Sequence, residues 1–418
     1  MGAAERAATL PCGGEDPFQV FNRRQGQGRI RDPYPRWAAL RREAPVQRLE
    51  VSALLEPDAP DAPAHPHDTW LALSFDAVAE TLRDGATFSS RGYASTMGPV
   101  LGRTILEMDE PEHFRHRVLL QRAFTRKALR RLEARILRPA VERRVDAMRG
   151  RGRADLVREL TFPFPVSVIA EMIGLSESQH AAFHRLAVEL ISVGFDPALG
   201  LAASATLREM FRELVAERRA RPREDLASAL AHAQLDGERL DDEAIVSFLR
   251  LLAPAGAETT YRSSSNLLFG LLSHPEQLEA LRRDRALLPQ AIEEGLRWEC
   301  PLTLILRTTT RATTLAGAAL PEGAVIAVVL GAANRDETRW EDPDAFRIQR
   351  APRAHAAFAF GSHTCLGKHL AREETRVLLE VLLDRLPGLR LDPEAEDVHV
   401  TGQIFRSPLA LPVRFGSG

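Results

Sequence analysis

The sequence has 418 residues, 44% of them hydrophobic, so the chain can bury a large core as one domain or as two. Its formal net charge of -2 excludes a global basic field of the kind that attracts nucleic acid or an anionic membrane. The three cysteines are too few for a disulfide framework and lack zinc-site spacing, so each is expected to be a single thiol.

The first 28 residues contain no sustained apolar run, so we expect no signal peptide, no membrane anchor and a cytoplasmic location. Residues 32–42 have the period of a short helix, and residues 46–50 and 70–73 predict two paired strands. Between the strands, EPDAPDAPAHPH (56–67) has a proline at every third position and predicts an exposed, extended loop.

From residue 111 to about 298 the dominant period is helical, and short strand patterns return at 304–310, 325–330 and 409–415. The sequence therefore predicts a mainly α chain with small β-sheets, an α+β fold.

One long helix is predicted over 241–273, with acidic residues in its first turn and a His-Pro pair after its end. In mid-helix its apolar stripe loses bulk at Gly256 and gains hydroxyl groups at Thr259 and Ser263. Pro254 also removes one backbone hydrogen bond. The pattern alone leaves two readings: a functional groove, or hydroxyls that bond back to the preceding turn.

The segment FAFGSHTCLG (358–367) runs straight into an amphipathic helix, with Cys365 at its start. A helix N-terminus stabilises a thiolate, the form of cysteine that binds metals. Gly361 and Gly367 leave room for a flat group to approach the backbone closely. The alternative is a buried, structural cysteine.

The spacing of Phe358, Gly361, His363, Cys365 and Gly367 resembles the haem-binding signature of the cytochrome P450 family. The resemblance implies haem b as the cofactor, Cys365 as the ligand of its iron, and Phe358 packed near the sulfur. It also implies the family's fold, a helical lobe plus a smaller β-rich lobe around a buried haem. Residues 1–418 would form this single catalytic domain, with the loop at 56–67 as an addition.

The segment AGAETT (255–260) resembles the oxygen-binding part of the family's central helix. This resemblance implies that Thr259 supports proton delivery to dioxygen, that Glu258 is its acidic neighbour, and that Gly256 lines the groove beside the cofactor. Pro254 departs from the usual aliphatic residue.

Two buried haem propionates require cationic donors. The resemblance implies four of them, His113, Arg117, Arg307 and His363. It further implies a structural, non-catalytic network, which consists of Glu294, Arg297 and Arg350.

The resemblance implies a monooxygenase that inserts one atom of dioxygen into a lipophilic small molecule by hydroxylation or epoxidation, in secondary metabolism or catabolism. Substrate contacts are expected in 92–105 and 190–193. They are also expected at Ile245, Leu249, Ala253, Leu302, Ile305, Ile404 and Phe405.

No dinucleotide-binding glycine motif is present, so electrons are expected from a separate ferredoxin and ferredoxin reductase. We expect an acidic ferredoxin to dock on a basic surface near Cys365, formed by Lys368, Arg372, Arg115, Arg122 and Arg126. Two alternatives stay open: a peroxide-driven haem-thiolate enzyme, and a haem-thiolate protein that only senses gas or redox state.

Overall fold

The structure is a computed structural model that describes residue 22 and residues 30–49, 69–121, 124–194, 196–235 and 237–416. The predicted loop at 56–67 lies outside these residues. The α-helices are α1 (Tyr34–Glu43), α2 (Phe75–Arg83), α3 (Tyr93–Thr96), α4 (Gly98–Leu101), α5 (Glu112–Gln121), α6 (Arg126–Leu132), α7 (Arg138–Arg149), α8 (Pro163–Ile173), α9 (Glu177–Ile191), α10 (Pro197–Ala220), α11 (Leu226–Ala231), α12 (Asp242–Ser273), α13 (Pro275–Arg283), α14 (Leu288–Trp298), α15 (Leu330–Ala333) and α16 (Lys368–Arg385).

The strands are β1 (Val46–Arg48), β2 (Thr69–Ala72), β3 (Phe88–Ser89), β4 (Arg153–Asp155), β5 (Gln234–Leu235), β6 (Glu238–Arg239), β7 (Ile305–Thr309), β8 (Thr313–Leu315), β9 (Ala318–Leu320), β10 (Val325–Val328), β11 (Arg390–Leu391), β12 (Val400–Thr401), β13 (Ser407–Pro408) and β14 (Pro412–Arg414). The largest sheet has the order β1-β2-β10-β7-β3. Strand β1 pairs antiparallel with β2, which confirms the predicted pairing, and β10 runs parallel to β2 and antiparallel to β7.

Helix α12 is the long helix predicted from the sequence, and its ends fall within one residue of the prediction. The Asp241 side chain caps it by accepting the Ala244 N–H at 2.6 Å, and His274 ends it before Pro275. The helix continues through Pro254. It packs against α8, α10, α14 and α16, so it forms the axis of the helical lobe.

The apolar core is divided between the helices and the five-stranded sheet. A large cluster joins the helices, and two smaller clusters pack on the faces of the five-stranded sheet. This arrangement confirms the predicted α+β class with a helical lobe and a smaller β-rich lobe. Among the described helices, none is both long and apolar enough to cross a membrane.

Candidate functional site

The segment before α16 is a tight loop that presents Cys365. The Cys365 N–H donates to the Phe358 carbonyl oxygen at 2.9 Å, and the Thr364 hydroxyl donates to the Gly361 carbonyl at 2.8 Å. Helix α16 begins at Lys368 with Gly367 as its N-cap. Cys365 therefore lies two residues before the cap, slightly earlier than the predicted helix start.

The two glycines of this loop, Gly361 and Gly367, are glycine for different structural reasons. Gly361 has a φ of +71°, and a Cβ there would lie 2.2 Å from the Leu82 carbonyl oxygen, so α2 and the backbone conformation both require glycine. At Gly367 a Cβ would meet only the Cys365 sulfur, at 4.0 Å. The bare backbone of Gly367 thus borders the space beside the sulfur.

Cys365 lies deep inside the molecule, yet its side chain is accessible, so it faces an interior cleft. Burial raises the pKa of its thiol, while the Gly367 backbone and the positive charges of Arg117, Lys368 and Arg372 act in the opposite direction. A bound cation would complete the stabilisation of the thiolate, because metal coordination deprotonates a cysteine.

The four predicted propionate donors lie together beside this loop. The rings of His113 and His363 are 4.1 Å apart between centroids. Burial and the positive charges of His113, Arg307 and Arg117 lower the pKa of His363 to about 3. The structure therefore brings together residues from α5, β7 and the cysteine loop that are far apart in the sequence.

This cluster has the donor chemistry that two carboxylates would need. Arg117 bonds to the Thr364 carbonyl and Arg307 to the Leu306 carbonyl, and within the described residues neither guanidinium is paired with a carboxylate. The Nε2 atom of His113 is buried without a hydrogen-bond partner. Arg307 is buried and Arg117 is half-buried, and a buried guanidinium without an ion-pair partner is costly, so this part of the structure fits a dianion such as the propionate edge of haem.

Helix α12 has one accessible strip along its middle. Leu251, Ala255 and Thr259 follow one another at helical spacing, and each retains accessible surface, whereas Ala257 and Thr260 are buried. The Thr259 hydroxyl donates to the Ala255 carbonyl at 2.8 Å, which is the bond back to the preceding turn considered above. The Thr259 oxygen still offers lone pairs on the accessible strip.

The predicted acidic neighbour, Glu258, is engaged in a buried ion pair. Arg262 donates from Nε to a Glu258 carboxylate oxygen at 2.7 Å and continues to Ser407 at 3.0 Å and Asn22 at 2.8 Å. Burial raises the pKa of Glu258, and Arg262 lowers it. The sequence reasoning missed Arg262, although its spacing of four residues from Glu258 was a usable signal.

Three of the expected substrate contacts lie on the packed face of α12. The side chains of Ile245, Leu249 and Ala253 are fully enclosed in the helical core, with 0% exposure. The resemblance from which they are expected does not specify which face of α12 the neighbouring helices cover. Gly256 also has a packing reason, since a Cβ there would lie 2.6 Å from Ile169 on α8.

The other four expected substrate contacts do lie together. Leu302 and Phe405 form an antiparallel bridge, and Thr303 N–H donates to the Ile404 carbonyl at 2.8 Å. Leu302, Ile305, Ile404 and Phe405 all retain accessible surface. The Phe405 ring centroid lies 5.5 Å from the Arg262 guanidinium, which places this group beside α12 near Glu258.

The geometry of the expected structural network is clear. Arg297 makes a two-point contact with the Glu294 carboxylate at 2.7 and 2.8 Å, and Arg350 Nε reaches the same carboxylate at 3.2 Å. Glu294 also accepts the Arg347 N–H at 2.9 Å. Glu294 and Arg297 are buried, so their charges depend on one another.

Of the five residues expected to form a basic surface near Cys365, the structure shows one, Arg372, in an ion pair. Both nitrogens of Arg372 that face Glu293 are paired with it, at 2.6 and 2.7 Å. Arg122 lies outside the described residues, and nothing is described of the Arg126 side chain. Arg115 is exposed, Lys368 is half-buried, and neither makes an ion pair within the described chain. Phe114, next to Arg115, is 60% exposed.

Comparisons with known proteins agree on one family. The model of the family Cytochrome P450 matches residues 201–396. Cytochrome P450 107B1 of Saccharopolyspora erythraea is 36% identical over 406 residues, which cover 92% of this chain and 96% of that protein. The steroid C26-monooxygenase of Mycobacterium tuberculosis is 37% identical over 82% of this chain and 94% of its own. The structure of cytochrome P450 CYP109Q5 from Chondromyces apiculatus superposes with a TM-score of 0.83 at 35% identity, covering 94% of this chain and 98% of that one.

Proposed function

This chain belongs to the cytochrome P450 family, and we propose that Cys365 is the thiolate through which it binds haem iron. Members of the family hold haem b through a cysteine, and the chain is a monooxygenase that inserts one atom of dioxygen into a lipophilic small molecule. The whole chain is proposed to form one catalytic domain.

The observation that carries the assignment of Cys365 is its position beside the half-buried Arg117 and the buried Arg307, which form no ion pair with any carboxylate among the described residues. Arg117 and Arg307 would each pair with a haem propionate, and the free Nε2 of His113 would accept or donate a further hydrogen bond there. His363, whose ring centroid lies 4.1 Å from that of His113, would donate a further hydrogen bond to a propionate. When bound, haem supplies dioxygen chemistry, and thiolate ligation favours cleavage of the O–O bond.

We propose that Thr259 positions the proton source for the reaction. Its hydroxyl proton is committed to the Ala255 carbonyl, so its oxygen is left to accept a hydrogen bond from a water on the accessible strip. Such a water would lie on the accessible strip of α12 and could pass on a proton from there. Glu258 can supply protons to it only when its carboxylate leaves Arg262.

The substrate is proposed to contact the accessible strip of α12 from one side and Leu302, Ile305, Ile404 and Phe405 from the other. This proposal replaces Ile245, Leu249 and Ala253 with Leu251 and Ala255. A mostly apolar wall with few polar groups suits a hydrophobic molecule. The similar M. tuberculosis protein is named as a steroid monooxygenase, so sterol-like molecules belong in a first substrate screen.

Electrons are proposed to come from a separate ferredoxin and its reductase in the cytoplasm. The haem-loaded protein should convert a substrate that shifts its Soret band when supplied with NADPH, a surrogate ferredoxin and a reductase. Product formation only with hydrogen peroxide would favour the peroxide-driven alternative. Reduction with no product from any Soret-shifting compound would favour the sensor alternative.

The ferredoxin is proposed to dock on Phe114, Arg115 and Lys368. Phe114 is an exposed aromatic next to Arg115, and Lys368 adds a positive charge near Cys365, a combination that suits an acidic partner, whose association rate such charges mainly affect. Stopped-flow reduction should slow in the double variant Arg115→Glu/Lys368→Glu and as salt rises. Arg221→Glu, at the exposed end of α10, is the matched control and should reduce normally. Equal rates for all three proteins at every salt concentration would exclude this surface.

A further inference from the structure

The short segment from Ser90 to Tyr93 supplies two hydroxyl groups to the cationic cluster. Ser90 Oγ lies 3.3 Å from His363 Nε2, and the Tyr93 hydroxyl lies against the Arg307 guanidinium. Both residues follow β3, where the chain crosses β7 so closely that a Cβ at Gly92 would lie 2.9 Å from the Thr308 hydroxyl. The placement of Tyr93 is therefore fixed by tight packing.

Tyr93 replaces a missing strand partner at the edge of β7. Strand β3 pairs only with Thr308 and Thr309, and its two residues end before Leu306. The Leu306 N–H instead donates to the Tyr93 oxygen at 2.9 Å. A purely structural role would end there, with Tyr93 satisfying one backbone donor of the edge strand.

The Tyr93 hydroxyl accepts hydrogen bonds, but its own O–H proton is not donated to any described residue. Its oxygen accepts from Leu306 N–H and faces the Arg307 side chain, and arginine offers only donors. Among the described residues, the Tyr93 O–H proton has no acceptor. Burial raises the pKa of this phenol, so the proton stays in place. An unused O–H beside a buried guanidinium without a counterion is the arrangement that recognises a carboxylate.

We propose that Tyr93 donates a hydrogen bond to the haem propionate that pairs with Arg307. This inference rests on the proposed function and extends it, because it assigns to the cofactor a residue of the segment 92–105, which was expected to contact substrate. Tyr93 would also hold Arg307 in place, so that the two residues act on the carboxylate together.

The test is the rate at which Tyr93→Phe loses haem to an excess of apomyoglobin. The variant keeps the ring and removes the hydroxyl, and we expect haem loss roughly tenfold faster or more, the factor typical of a lost hydrogen bond to a charged group. The ferric/ferrous midpoint potential should also fall, because a less stabilised propionate charge favours the ferric iron. Tyr34→Phe is the matched control, because its hydroxyl bonds to Glu299 at 3.0 Å.

A second measurement separates a role at the propionate from a role at Leu306. Both proteins are reconstituted with haem dimethyl ester, in which the carboxylates are capped. We expect the difference between wild type and Tyr93→Phe to fall to within about twofold, because the charge-assisted hydrogen bond no longer exists. An undiminished difference with the ester, or no difference with haem b, would overturn the proposal. Either result leaves the thiolate spectrum of the wild type intact, so it is distinct from failure of the proposed function.

Discussion

Glu374 on α16 is a buried carboxyl group whose protonation should make stability depend on pH. The residue is 1% exposed, and its Oε1 atom has no hydrogen-bond partner. Burial raises its pKa to about 8, and only a hydrogen bond with Thr260 on α12 opposes this effect. Because no charged group among the described residues acts on its pKa, desolvation decides its protonation state.

The sign of the effect follows from proton uptake. Between the unfolded pKa near 4.5 and the folded pKa of about 8, the folded state binds one more proton than the unfolded state. Stability therefore falls as pH rises through this window, by about 1.4 kcal/mol per pH unit, and the total is at most roughly 5 kcal/mol. Glu374→Gln keeps a neutral side chain of the same shape and removes this dependence.

The assay is urea unfolding of the haem-loaded proteins from pH 5.5 to 9, followed by far-UV circular dichroism. Glu374→Gln should exceed wild type by only about 1.4 kcal/mol at pH 5.5 and by roughly 5 kcal/mol at pH 9. Glu322→Gln, in the exposed turn before β10, is the control and should follow wild type throughout. A stability difference that is constant with pH, or that favours wild type at pH 9, would refute the reasoning.

Four further variants test the site and its support. Glu294→Ala should lower the free energy of unfolding by about 3–5 kcal/mol, because it leaves the buried Arg297 without its ion-pair partner. A normal urea midpoint would disprove the structural role. Thr259→Ala should bind haem and consume reductant but release more hydrogen peroxide per product, and full coupling would count against the proton role. His113→Ala and Arg117→Ala should each speed haem loss, as removal of a donor worth about 1.5–3 kcal/mol implies, and unchanged loss rates would exclude them as propionate partners.

The extent to which the sequence predicts the fold differs from element to element. Helix α12 is predicted to within one residue because its N-cap at Asp241 and its stop before Pro275 are local signals. Strands β1 and β2 are found by alternation, and their pairing follows from proximity in the chain. The order of the five-stranded sheet depends on strands far apart in the sequence, which no local pattern specifies.

In the functional site, too, some residues are predicted by the sequence and others are not. The motif around Cys365 indicates a metal-binding cysteine, and the positions of Arg117 and Arg307 follow from resemblance. Resemblance alone does not indicate which face of α12 packs on neighbouring helices and which faces the cleft, and the residues expected from it, Ile245, Leu249 and Ala253, lie on the packed face.

Tyr93 and Glu374 could not be found from the sequence. Each is unusual only because of its tertiary surroundings. Tyr93 lies against Leu306 and Arg307, and Glu374 is buried against α12. An isolated tyrosine or a helical glutamate carries no sequence signal of such a role.

The carbon monoxide difference spectrum of the reduced protein tests the central claim most directly. Wild type, Cys12→Ala and Cys300→Ala should all show the red-shifted Soret band of thiolate-ligated haem. Cys365→Ala should lose it, because of the two cysteines that the structure describes Cys365 faces the interior cleft, whereas Cys300 is fully buried and its Sγ donates to the Leu302 carbonyl at 2.9 Å. An unchanged red-shifted band in Cys365→Ala would contradict the account.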